Sequence, residues 1–154
     1  NKIQAALEII KKAKENNVSL ILPIDSVNST TFNNQSASSV SEINKIPANE
    51  IGLDIGPKSI NLFSKEILSS KTILWNGPMG VFEFSNFSEG TLSVGKSICE
   101  STEKGAFSLV GGGDSIAAIK KFNLTNGISY ISTGGGAMLE YLEGKELPAL
   151  KALL

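Results

Sequence analysis

Two stretches of this sequence carry three consecutive glycines, and each lies between a short apolar run and a helical pattern. The first reads Val110-Gly111-Gly112-Gly113-Asp114-Ser115 and the second Ser132-Thr133-Gly134-Gly135-Gly136-Ala137. Glycine lets a backbone adopt positive φ and come close to a ligand. Free N–H groups at a helix N-terminus attract phosphate oxygens. Asp114 would repel an anion unless a cation lay between them, and Mg²⁺ held by one carboxylate plus substrate phosphates is the usual arrangement. The same residues also make an ordinary capped turn, because Asp is a good N-cap and Gly a good turn residue. Two such loops in one sheet weigh against turns alone, since adjacent helix N-termini would converge on one anionic site.

A third segment, Trp75-Asn76-Gly77-Pro78-Met79-Gly80-Val81-Phe82-Glu83, combines two turn glycines with a proline. Val81 and Phe82 could wall an apolar slot, and the Glu83 carboxylate could accept hydrogen bonds from a ribose. Trp75 reads as core. None of these three loops is a phosphate-binding loop of the Walker type.

These loops need elements to hold them. Residues 2–16 form an amphipathic pattern with Ile3, Ala6, Leu7, Ile10 and Ala13 on one face. Ser19–Leu22 reads as a short strand ended by Pro23, and 28–49 as a Ser/Asn-rich irregular excursion. Ile51–Ile55 is the next strand, stopped by Gly56-Pro57. Ser59 then caps a helix running to about Leu68, with Ile60, Phe63 and Ile67 inward. Strands at Lys71–Trp75, Phe107–Val110 and Tyr130–Ser132 alternate with helices at about 88–100, from Asp114 onward, and to about Leu142. Short apolar strands without strict alternation predict a parallel sheet covered on both faces. The motif loops all follow strand C-termini, where open α/β sheets bind ligands.

Composition narrows the chemistry. A length of 154 residues fits one domain. A net charge of -1 supplies no overall positive field for nucleic acid or anionic membrane. No apolar run approaches the ~20 residues that span a bilayer, and the first residues lead into a charged helix and not a signal peptide. Histidine is absent, which excludes His-based triads, metal sites and general bases. Chemistry must run on carboxylates, lysines, hydroxyls, backbone amides or a bound metal. The single cysteine, Cys99, permits no internal disulfide and reads as a small buried residue. N-x-[ST] matches such as those at Asn28, Asn86 and Asn123 fit chance in an Asn- and Ser-rich chain.

Five motifs occur in one order: Leu22-Pro23-Ile24-Asp25, Gly52-Leu53-Asp54-Ile55-Gly56-Pro57, the segment from Trp75 to Glu83, Gly111–Ser115 and Ser132–Ala137. Leu139–Lys145 follows them. In this order the chain resembles the phosphoglycerate kinases over its whole length. The resemblance implies an α/β, Rossmann-like three-layer domain with a parallel sheet, incomplete at its N-terminal end. Residues 1–154 would be the C-terminal part of the nucleotide-binding domain. It implies reversible phosphoryl transfer from ATP to 3-phosphoglycerate with Mg²⁺, in a cytoplasmic, monomeric parent.

By position, the resemblance puts Gly52 and Leu53 against the adenine with Val81 opposite, and Glu83 on the ribose. Asn76 and Pro78 would flank the phosphates, which Gly112, Gly113 and Ser115 would contact. Asp114 would hold Mg²⁺, and Gly134, Gly135 and Gly136 would face the transferring phosphoryl group. Ser115 stands where many relatives carry Thr, and Met138 where Ser is common. The sugar-phosphate lobe and a lysine-bearing segment have no counterpart in these residues. The alternatives are a fragment that binds nucleotide weakly without catalysis, and a non-enzymatic fragment with an exposed apolar sheet edge. An unrelated nucleotide hydrolase would need a water-activating residue that is not evident.

Overall fold

The computed structural model describes residues 2–153. Helix α1 (Lys2–Glu15) forms on the predicted period. It ends where Asn17 takes positive φ (55°) and the Val18 N–H reaches the Ala13 carbonyl at 2.8 Å, a left-handed C-terminal cap. The helix buries none of its side chains, so Ile3, Leu7 and Ile10 remain exposed.

Ser19–Leu22 is not a strand. A strand exists only where its backbone groups pair with a neighbour, and this stretch has none among the described residues; Leu20 and Leu22 are exposed. The strand lies just after Pro23. β1 (Asp25–Ser29) is the centre of a three-stranded antiparallel sheet, flanked by β2 (Ser39–Glu42) and β3 (Ile51–Ile55). The 28–49 segment is therefore partly regular, with the end of β1 and all of β2 inside it. The inward residues of β1 and β2 are polar: the Ser26 hydroxyl donates to Asn28 Oδ1 (2.6 Å), and Asn28 Nδ2 donates to Ser41 Oγ (2.9 Å). A face satisfied by hydrogen bonds gives no apolar alternation to read.

The second sheet is parallel, in the order β4 (Thr72–Trp75), β5 (Phe107–Gly111), β6 (Tyr130–Ser132). The α-helices that follow α1 are α2 (Pro57–Ser69), α3 (Glu89–Glu103), α4 (Gly113–Lys121), α5 (Gly135–Leu142) and α6 (Pro148–Lys151). One sheet face, with Ile73, Trp75 and Val110, joins Ile55, Val94, Ile98 and Ile119 in the core. Ile60, Phe63 and Ile67 of α2 pack onto it as their spacing predicts. The parallel sheet and its helices make the expected α/β three-layer arrangement, in which Leu74, Phe107 and Tyr130 on the opposite face stay partly exposed.

Helix α2 is capped differently from the sequence expectation. Pro57 occupies the first turn, where its missing N–H costs nothing. Ser59 lies inside the helix, and the cap comes from Asp25 on β1, whose carboxylate accepts from Lys58 N (3.0 Å), Ser59 N (2.8 Å) and Ser59 Oγ (2.6 Å). Burial pushes the Asp25 pKa up, but the Ser59 hydroxyl and the two backbone donors outweigh it and hold the carboxyl below its usual value. Gly56 has to be glycine because a Cβ there would meet Asp25 Cγ at 2.3 Å.

Candidate nucleotide site

The two triple-glycine loops do converge. A Cβ on Gly135 would lie 2.6 Å from the backbone nitrogen of Gly112, so these loops approach each other main chain to main chain. Gly112 holds φ at 91°, and a Cβ there would meet Asn76 Oδ1 at 2.5 Å. The third loop therefore meets the first at that point. Apart from chain neighbours and the nearby backbone of its own helix, no atom of the described residues lies within 4 Å of a Cβ built on Gly113, Gly134 or Gly136.

Asp114 is exposed in the first turn of α4, whose N-cap, Gly112, makes no side-chain cap bond. Among the described residues no cluster of three His, Cys, Asp or Glu side chains could hold a metal. Divalent binding here would rest on the one Asp114 carboxylate with phosphate oxygens and water. An oxygen-only set of that kind suits Mg²⁺. Ser115, in contrast, is buried, and its hydroxyl oxygen accepts from Gly77 N at 2.7 Å. It fastens the Asn76–Gly80 loop to α4 and keeps its own proton free to donate. Met138 lies over Gly111, whose Cβ would meet Met138 Cε at 2.4 Å. The thioether fills the space left by the missing side chain.

At the other end of the third loop lies a cavity of about 400 Å³ bordered by Gly52, Leu53, Pro78, Gly80 and Val81. Val81 N donates to the Leu53 carbonyl at 2.8 Å, which ties the two residues together at this cavity. Glu83 is exposed two residues beyond, in a turn closed by Phe84 N to Val81 O at 2.9 Å.

A residue without a sequence-derived role underlies this cavity. Asp54 accepts from Gly90 N (2.7 Å) at the start of α3 and from Ile55 N (2.9 Å). Gly80 and Gly90 both leave it room, since a Cβ on either would sit 2.3 Å from Asp54 Oδ1. Burial raises its pKa to about 6 against the pull of the two N–H donors, and the nearby Glu89 carboxylate adds to the rise. The folded state therefore binds this proton more tightly than the unfolded chain, whose value is near 3.8. Asp54 weakens the fold above pH about 6 and does so progressively less as the pH falls toward 3.8. A pH series of urea midpoints is expected to show this rise, and Asp54→Asn is expected to flatten it. An unchanged slope in the variant would assign the titration elsewhere.

Gly90-Thr91-Leu92-Ser93-Val94-Gly95-Lys96-Ser97 matches the Walker pattern letter by letter, yet it lies within α3. Gly90, Thr91, Gly95 and Ser97 are buried there; the Gly90 N–H is taken by Asp54, and from Leu92 onward the N–H groups bond within the helix, which leaves no loop to cradle a phosphate. The Thr91 hydroxyl instead accepts from Met79 N (3.1 Å) and Gly80 N (3.3 Å). Cys99 is half-buried, its thiol donating to the Leu124 carbonyl at 3.6 Å. No described helix is long and apolar enough to cross a membrane.

The family model described as phosphoglycerate kinase matches residues 1–145. A phosphoglycerate kinase of Porphyromonas gingivalis is 54% identical over 153 residues, which is 99% of this chain and 37% of that protein. The solved structure of phosphoglycerate kinase from Coxiella burnetii superposes with a TM-score of 0.90 at 45% identity, covering 96% of this chain and 38% of its own. The enzyme from Pyrococcus horikoshii superposes with a TM-score of 0.74 at 34% identity, covering 99% of this chain and 38% of its own. The chain thus spans well under half the length of the relatives it matches.

Proposed function

Because this chain belongs to the phosphoglycerate kinase family, we propose that it forms the nucleotide side of an enzyme moving a phosphoryl group reversibly between ATP and 3-phosphoglycerate. The observation that carries this is the main-chain approach of Gly135 to Gly112 beside exposed Asp114, linked through Asn76 and Gly77 to the cavity at Gly52 and Val81.

In this reading the base lies against Gly52, Leu53 and Val81, and Glu83 accepts from the ribose hydroxyls. Asn76 and Pro78 border the phosphates. The N–H groups of Gly112 and Gly113 and the Ser115 hydroxyl donate to them, while Gly134, Gly135 and Gly136 line the path of the transferring group. Asp114 holds Mg²⁺ together with phosphate oxygens, and that ion supplies charge neutralisation. The acceptor is a carboxylate with a pKa of about 4, already ionised at pH 7, so no general base is required. The absence of histidine from these residues is therefore no handicap for this step. What remains is positioning and electrostatic stabilisation.

The sugar phosphate and the basic side chains that neutralise it belong to parts of the protein outside residues 1–154. We place the whole enzyme in the cytoplasm as a monomer. The full-length kinase is expected to form ATP from ADP and 1,3-bisphosphoglycerate, and residues 1–154 alone to bind Mg-ADP weakly with no turnover. Calorimetry and a coupled ATP assay on both check this. ATP formation by the purified 154-residue chain would overturn the division of labour. A cooperatively folded chain that gives no heat with Mg-ADP would remove an autonomous nucleotide site.

A further inference from the structure

Lys121 ends α4, the helix that begins with Gly113 and Asp114. Its ammonium donates to the carbonyl of Phe82 at 2.7 Å and to that of Glu83 at 3.0 Å. Those two carbonyls belong to the turn that carries the Glu83 carboxylate. The Phe82 ring anchors the turn from beneath, being buried, and Phe82 N bonds to Gly80 O at 2.8 Å. The lysine is steadied in turn by the Phe122 ring, 5.8 Å from its ammonium to the ring centroid.

The same helix grips the same loop at its other end, through Ser115 Oγ and Gly77 N. From Ser115 to Lys121 is six residues, roughly 9 Å of helical rise. Helix α4 thus acts as a rigid spacer along the loop, tied to it at Gly77 beside the glycine loops and at Phe82–Glu83 beside the cavity. A flexible loop held only at Gly77 would leave Glu83 free to wander. A loop held at both points keeps that carboxylate at a fixed distance from the phosphate end.

We infer that Lys121 is a positioning residue for ribose recognition, acting through the turn that presents Glu83. This rests on the reading of Glu83 as the ribose acceptor. The test therefore carries Glu83→Gln as its reference.

The measurement is the affinity of the full-length kinase for Mg-ADP and for Mg-2′,3′-dideoxy-ADP, which lacks both ribose hydroxyls. The unaltered protein is expected to prefer ADP, and Glu83→Gln to lose that preference. Lys121→Met is expected to weaken ADP by about fivefold, the size of one modest hydrogen bond, and to leave the dideoxy nucleotide unchanged. Lys121→Arg, which can still donate to both carbonyls, is expected to restore the preference. A merely structural role would weaken both nucleotides alike. Equal losses, or a preference intact in Lys121→Met but lost in Glu83→Gln, would overturn the inference. If Glu83→Gln keeps the full preference, Glu83 is not the ribose acceptor and the role of Lys121 falls with it.

Discussion

Asp114→Asn is expected to weaken binding of Mg-ADP to the full-length kinase by about 100-fold, the upper end of what loss of a group supporting a bound metal costs. Metal-free ADP should bind nearly as well as before, or slightly better, because a negative charge beside the phosphates is removed. The contrast follows from placement. Asp114 is exposed in the first turn of α4, so it contributes little to packing. Its favourable interaction with the helix N-terminus amounts to only about 0.5 kcal/mol. The melting temperature should therefore barely move. Calorimetry in Mg²⁺ and in EDTA reads the two affinities directly, and equal losses in both would exclude Asp114 as a metal ligand.

Gly135→Ala is expected to lower kcat/KM by about 100-fold, the cost of roughly 1 Å of misplacement between reacting groups. The added methyl would sit 2.6 Å from Gly112 N and 3.0 Å from Gly112 Cα. Both are backbone atoms, so no side-chain rotation relieves the overlap and the two glycine loops must part. The fold has less to lose, because Gly135 opens α5 and Ala favours a helix over Gly by about 1 kcal/mol. Steady-state kinetics with a parallel melting curve separates the two effects. Full activity in the variant would show that the close approach of the loops is dispensable.

Much of this architecture was legible in the residues. Helix α1, strands β3 to β6 and the inward face of α2 follow apolar spacing that depends only on neighbours along the chain. The glycine loops announced themselves for the same local reason. The Ser/Asn-rich strands did not, because their buried face is satisfied by Ser26, Asn28 and Ser41 instead of by apolar contact. Ser19–Leu22 misled in the opposite direction, being apolar but unpaired. The Gly90–Ser97 string shows the hazard of a pattern without its context, since the same letters make a loop only where the backbone is free of a helix.

The sequence by itself determined which backbone can turn, which residues can bear charge, and that residues 1–154 supply no histidine. Those are properties of residue type. Tertiary structure decided which of them meet. Asp25 caps α2 across 34 residues, Asp54 caps α3 across 36, and Lys121 reaches the Glu83 turn across 38. Each contact joins groups whose sequence separation carries no periodic signal, and each is fixed only once the sheets bring distant segments within hydrogen-bond range. The glycines at 56, 80, 90 and 135 belong to the same class: they are glycines because of what another part of the fold places against them.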